Sequence, residues 1–348
     1  MSGAGGAAIG WRPVSDDPAV ASARIRCLNP LAELERRGAP VELYRSSRTY
    51  TAVVYSKRYD AGTLRDAERR KAAGTRIVFD LCDNHFYNPN GSRRLAAAAE
   101  RLRAMLRLAD DLVASTDAMA DVIRAEVGER PVAVIGDAVE ELVAQRERWD
   151  IRYDRRRHLA FAEARMGSGK HTNALRLIWF GAHGGPYGAG GIADLRRIRD
   201  VVLQFHRHQP VWLTVISNSQ WSYYRWVRWW RVPTTYLAWS PTTFIEGLGL
   251  HHIAVIPVSP TPFTRCKSNN RVATALAHGL AVIADAIPSY EEFRPFTVLD
   301  DWERGLARYA DARARVDDVE KGRAHVRARW TIGPIADQWQ RFLEGLLR

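Results

Sequence analysis

The densest chemistry in the chain lies in residues 264–271, TRCKSNNR, where Lys267, Ser268, Asn269, Asn270 and Arg271 run into an Ala-rich segment closed by Gly279. Val272, Ala275 and Leu276 fall on one helical face, and the glycine follows as a stop. An ammonium at Lys267 and a guanidinium at Arg271 therefore stand at a helix start, where unpaired backbone N–H groups and the positive dipole end already favour an anion. A guanidinium grips phosphate through two parallel bonds, so the pattern calls for a phosphate or diphosphate. Asn269 or Asn270 can equally serve as the N-cap of that helix. A second loop, FDLCDNHFYNP, sets Asp83, Asn84 and His85 behind an apolar run. A histidine beside a carboxylate can hold a hydroxyl or take its proton, and the same residues can close an Asx turn. Gly181, Gly184 and Gly185 follow the apolar run LRLIWF. Glycine lets a backbone approach a phosphate or base closely, and it also makes a plain tight corner. Ser289, Glu291 and Glu292 occupy a fourth loop, IPSYEEF.

Each of these loops follows a run that reads as a strand. Residues 253–258 and 280–284 are short and apolar throughout, as strands buried on both faces are, and the helix between them makes a parallel crossover unit whose loops emerge at one sheet edge. Ligands of open α/β sheets bind at that edge. The N-terminal half repeats the alternation. Strands are expected at 8–14, 41–44, 51–55, 76–81, 111–115 and 132–135, with helices at 19–37, 64–73, 93–108 and 118–127. The second half restarts with strands at 175–180, 211–216 and 235–237 and a helix at 192–206. The fold class is therefore α/β, with two Rossmann-type, doubly wound parallel-sheet domains. The expected divisions are 1–145, a linker at 146–173, 174–330, and a packing helix at 331–348, whose Ile335, Trp339, Phe342, Leu343, Leu346 and Leu347 form one stripe.

At 348 residues the chain is long for one core, and two domains of roughly 150 to 170 residues are the default. The composition, 46% hydrophobic and 26% charged, is that of a globular protein. No apolar run approaches the length of a bilayer span and the opening MSGAGGAAIGW lacks signal-peptide character, so the expected location is cytoplasmic. Cys27, Cys82 and Cys266 are far apart and in no CxxC pattern, which points away from disulfides and zinc. A net charge of +12 calls for an anionic partner: nucleic acid, lipid headgroup or phosphorylated substrate. GSGKHT lacks the Walker glycine at Ala164 and the Walker Ser or Thr at His171, so it reads as a surface turn. Between Trp221 and Arg231, WSYYRWVRWWR mixes aromatics and arginine with no acid. That composition suits a membrane interface, core packing with cation–π stacking, or bases of a single strand, although no nucleic-acid module accompanies it.

DDLVAS followed by a helix and PVAVIGDAVEE, then LRLIWFGAHGG, IAVIPV, RCKSNNRVATALAHGLAVIA and IPSYEEF, in that order and spacing, resemble the GT-B glycosyltransferases and their large retaining, family 4-like group. The resemblance implies a nucleotide-diphosphate sugar as donor on the C-terminal domain, an acceptor approaching from the N-terminal domain, and neither cofactor nor fixed metal ion. It implies diphosphate binding by Lys267, Arg271 and residues 268–270, close lining by Gly181, Gly184 and Gly185, and an acceptor met by Asp83 or His85. That group carries two glutamates where Cys266 and Thr274 stand, and a basic residue that GAGGIADL lacks. Glu291 or Glu292 is left to hold ribose or sugar hydroxyls. The expected activity is metal-independent sugar transfer to a saccharide or lipid-linked saccharide acceptor in cell-surface polysaccharide synthesis. The expected partners are donor, acceptor and peripheral membrane, with no nucleic acid. A GT-B-fold scaffold without turnover, a basic nucleic-acid binder and an epimerase are the rival readings.

Overall fold

The computed structural model describes residues 9–140, 149–167, 173–187, 190–241 and 243–347. Two six-stranded sheets carry the architecture, and their recorded strand pairs are parallel. The first contains β1 (Ile9–Arg12), β2 (Val41–Leu43), β3 (Ala52–Ser56), β4 (Arg76–Leu81), β5 (Asp111–Ala114) and β6 (Val132–Val134), in the order β2-β1-β3-β4-β5-β6. The second contains β7 (Leu175–Phe180), β8 (Val211–Ser217), β9 (Thr234–Ala238), β10 (Ile253–Ile256), β11 (Ala281–Ala284) and β12 (Val298–Leu299), in the order β12-β11-β10-β7-β8-β9. The doubly wound α/β expectation is met in both. In the second sheet the chain order turns around between β7 and β10, the kind of position at which open α/β sheets bind ligands.

The chain divides into two compact units, one drawn from residues 1–138, 265–268 and 329–348 and the other from 139–264 and 269–328. In the first, Val54, Val78 and Val113 form the inner sheet face, and the helix Ile332–Leu346 lays Ile335, Trp339 and Leu343 against Ile9, Trp11, Leu31 and Leu34. The Trp11 and Trp339 rings stand 4.6 Å apart. In the second, all four residues of β10 and all four of β11 are buried, as strands covered by helices on both faces require. Local chemistry sets the helix ends. Asp60, Ser92 and Thr116 cap their helices by accepting from Thr63, Leu95 and Met119 N–H, while Gly74 and Gly279 supply the φ of +86° after a last turn.

Three stretches differ from expectation. The helix expected over 192–206 begins as a 3-10 helix, Ile192–Ile198, before the α-helix Arg199–His206. Ile192, Leu195 and Ile198 are all buried, and a spacing of three stacks them on one 3-10 face. The expected linker range 146–173 holds the helix Trp149–Met166, whose Leu159, Ala162 and Met166 are buried at helical spacing amid arginines. The first strand, Ile9–Arg12, ends before the expected Val14, while Ala8 lies outside the described residues, as does most of GSGKHT.

Candidate functional site

In the second unit the loop after β10 is held tightly. Thr264 Oγ1 accepts from Thr261 N–H (2.8 Å) and donates to Ser259 carbonyl (2.6 Å), and Ser259 Oγ donates to Asp194 (2.6 Å). Asp285, following β11, accepts from Val258 N–H (2.8 Å), Trp302 Nε1 (2.9 Å) and Arg197 (3.1 Å). The loops at the strand ends are thereby tied to one another and to the helix that follows the glycine-rich turn.

Behind this frame starts the helix Asn270–Ala277, with Val272, Ala275 and Leu276 fully buried as the pattern requires. Asn269 occupies the N-cap position, but its side chain makes no capping bond. Instead its Nδ2 donates to Glu292 Oε1 (3.2 Å), and its buried Oδ1 has no partner among the described residues. The neighbouring oxygen of Glu292 meets His325 Nε2 at 2.8 Å. The helix start is therefore not closed by the side chain of its N-cap residue. Arg271, partly exposed in the first turn, has no acidic partner among the described residues, and its guanidinium lies 5.9 Å from the Trp179 ring centre. Gly181 lies alongside both: a Cβ at that position would stand in ordinary van der Waals contact with the Trp179 ring (3.4 Å) and Arg271 Nη1 (3.6 Å). Trp179 Nε1 is buried without a partner among the described residues.

The glycine-rich turn folds back on itself. At Gly191, φ is +94° and an added Cβ falls 2.5 Å from Gly184 N, so only glycine fits. Gly184 faces the Gly190 carbonyl, whereas Gly185 has open space around it. Glu291 is half exposed and chelated by Arg294 (2.8 and 2.9 Å), so Glu292 is the glutamate at the helix start.

In the first unit a second constellation forms at the end of β4. Asp83 Oδ1 accepts from Lys267 Nζ (2.5 Å) and Oδ2 from Lys57, the non-glycine residue after β3 with φ of +54°. Burial raises the Asp83 pKa, yet Lys267 and Lys57 outweigh it and hold the carboxyl well below its usual range. His85 Nε2 is 4.0 Å from Asp83, and its Nδ1 is 2.6 Å from Tyr59 Oη. Burial, helped by Lys57, takes the His85 pKa down to about 3. A base whose folded pKa is depressed is protonated first in the unfolded chain, so this group removes stability progressively as pH falls from about 6.5 toward about 3. In an NMR titration His85 should stay neutral from about pH 8 to about pH 5 while exposed imidazoles titrate near 6.5. A His85 midpoint near 6.5 contradicts this geometry.

Beneath lies Arg26, fully buried, bonded to Asp80, to Asp137 (3.1 Å) and to the Ile135 and Gly136 carbonyls (2.6 and 3.1 Å). Ser268 Oγ donates to the other oxygen of Asp137 (2.5 Å), and Thr116 Oγ1 to the Cys266 carbonyl (3.2 Å). Residues 265–268 are thus anchored in the first unit by their own side-chain and backbone bonds.

Of the expected site residues, Asp83, His85, Lys267 and Ser268 gather in the first unit, and Gly181, Gly184, Asn269, Arg271 and Glu292 in the second. Sequence reasoning does not single out Lys57, Tyr59 or Arg26. Lys57 reads in sequence as one more loop lysine, and Arg26 sits among Ile25 and Leu28 in a helix whose apolar face gives no sign that a charge is buried beside it. Among the described residues no three His, Cys, Asp or Glu side chains are grouped to hold a metal ion.

No protein-family model matches the chain, and no curated protein matches it. Solved structures do. A mutant of S. aureus TarM in complex with fondaparinux, alpha-GlcNAc-glycerol and UDP aligns over 90% of this chain with TM-score 0.59 and 10% identity. Trehalose-6-phosphate from E. coli bound with UDP-2-fluoro glucose aligns over 92% (76% of that chain), TM-score 0.55 and 12% identity. The alpha,alpha-trehalose 6-phosphate synthase from Burkholderia multivorans aligns over 96% (79% of that chain), TM-score 0.54 and 14% identity. These neighbours are GT-B glycosyltransferases. The chain has the GT-B fold. It spans 57% of the TarM chain, and at these identities the likeness is one of fold. In the second unit Arg271 stands near the strand-order reversal between β7 and β10, and in the first the Asp83 group lies at the end of β4.

Proposed function

We propose that the protein transfers a sugar from a nucleotide-diphosphate sugar to a saccharide or lipid-linked saccharide acceptor in building a cell-surface polysaccharide. The observation that carries this reading is Arg271, a cation without an acidic partner among the described residues, in the first turn of an uncapped helix at the strand-order reversal. A diphosphate satisfies the guanidinium and the dipole end together. Neighbouring structures in complex with UDP and UDP-2-fluoro glucose have the same fold. Lys267, Ser268, Asn269 and Asn270, which lead into that helix in the chain, share the diphosphate. Gly181, Gly184 and Gly185 admit it closely, and Glu292, with Glu291 as the less favourably placed alternative, holds ribose or sugar hydroxyls. The leaving group's charge is met by these cations and the helix, so no resident metal or cofactor is required.

Asp83 and His85 meet the acceptor hydroxyl. Asp83 has both oxygens occupied by ammonium groups and His85 is held neutral down to about pH 3, so neither has the basicity of a general base working near pH 7. They orient the hydroxyl, and the reaction proceeds chiefly by leaving-group stabilisation, with retention at the anomeric carbon. Incubation with a panel of nucleotide sugars and saccharide acceptors should release nucleoside diphosphate, and NMR of the product should show the donor's anomeric configuration. An inverted product overturns the mechanism.

One observation favours a second reading. Cys266 and Thr274, both buried, stand where the resemblance places glutamates, so neither position supplies a carboxylate. Nucleotide binding without turnover on any donor–acceptor pair would identify a GT-B-fold binding protein instead.

A further inference from the structure

The crossover from β8 to β9 presents an unusual face. The helix Gln220–Trp226 and the turn after it commit Tyr223, Val227 and Trp230 to the core of the second unit, which satisfies packing. Three other large side chains of the segment point outward: Trp221 is 66% exposed, Trp229 77% and Tyr224 46%. Arg225, Arg228 and Arg231 are exposed beside them. Arg225 stacks 5.2 Å from the Trp221 ring and Arg228 5.2 Å from the Trp229 ring, so each exposed indole of the segment carries a cation on its face. Between Asp200 and Glu246 the chain contains no acidic residue. The cations of this face therefore have no acid of their own segment to neutralise them.

We propose that this face docks the protein on an anionic lipid bilayer, with Trp221, Tyr224 and Trp229 entering the interfacial layer and Arg225, Arg228 and Arg231 meeting lipid phosphates. Indoles and phenols favour headgroup depth, where the ring is partly desolvated and its polar edge stays wet. An arginine at an anionic membrane gains roughly fivefold in binding. A second copy of this chain fits less well, because like arginines would oppose one another across the contact. Single-stranded nucleic acid is gripped in basic grooves lined with stacking rings, whereas these two indoles stand out from the surface. No described helix is long and apolar enough to cross a membrane, so the contact is with one leaflet surface. The proposal goes beyond the sugar-transfer reading and does not rest on it.

The test is co-sedimentation of the full chain with vesicles of phosphatidylcholine alone and of equimolar phosphatidylcholine and phosphatidylglycerol. The wild type should bind the anionic vesicles, less tightly as salt rises. Joint replacement Trp221→Ala and Trp229→Ala should weaken binding at least about tenfold. Joint replacement of Arg225, Arg228 and Arg231 by Gln should weaken it by about a hundredfold. Unchanged thermal unfolding of both variants shows that the loss is not one of folding, and a variant that melts early is replaced by the single Trp229→Ala, which should still lose affinity. Absence of binding to anionic vesicles, or equal binding by the variants, overturns the proposal. So does finding that the same residues govern self-association or poly-U binding while vesicles are ignored.

Discussion

Arg271→Ala is expected to weaken nucleoside-diphosphate binding by about a hundredfold, the loss of roughly 3 kcal/mol that follows when one partner of a hydrogen-bonded charge pair is removed. The guanidinium is partly exposed and has no acidic partner among the described residues, so its removal leaves no carboxylate stranded and the fold should be untouched. Arg271→Lys keeps the charge but loses the planar fork, and should recover only part of the affinity. Isothermal titration with the nucleoside diphosphate that most raises the melting temperature is the measurement, with circular dichroism as the control on folding. Unchanged affinity in Arg271→Ala, with an intact fold, removes the assignment of the diphosphate to this helix start. Sequence reasoning alone points first to Lys267, and the structure adds that this ammonium already has a carboxylate partner in Asp83.

Arg26→Ala should cost about 3 to 5 kcal/mol of unfolding free energy. The guanidinium is fully buried and is the counter-charge of both Asp80 and Asp137, besides satisfying two backbone carbonyls. Without it two carboxylates are left desolvated and without their counter-charge. Urea unfolding reads the loss. Because Asp137 also accepts from Ser268, the variant should loosen residues 265–268 before it unfolds globally, visible as faster amide exchange there. A deficit below about 1 kcal/mol contradicts the account of this network.

The alternation of apolar runs and helical faces is enough to place nearly every strand, because parallel strands buried on both faces leave so plain a signature; β10 and β11 are the clearest cases. The Asn270–Ala277 helix and its glycine stop are legible for the same reason. The helix Trp149–Met166 is not, since its thin buried stripe of Leu159, Ala162 and Met166 is interrupted by arginines that periodicity reads as solvated chain. The site is legible at the level of loops and not of bonds. Sequence places Lys267 beside Arg271, but which carboxylate claims an ammonium is settled by packing across long separations, as Lys267 with Asp83 and Arg26 with Asp80 show. Similarly, IPSYEEF offers two equivalent glutamates, and only the fold distinguishes Glu292, bonded to Asn269 and His325, from Glu291, occupied by Arg294.

The most direct test is a crystal structure of the protein with a bound nucleoside diphosphate. The two phosphates should lie at the first turn of Asn270–Ala277, with the Arg271 guanidinium on a phosphate oxygen and the Gly181 backbone alongside. A diphosphate bound elsewhere in the molecule, with Arg271 making no contact to it, removes the assignment of the donor site to this helix start.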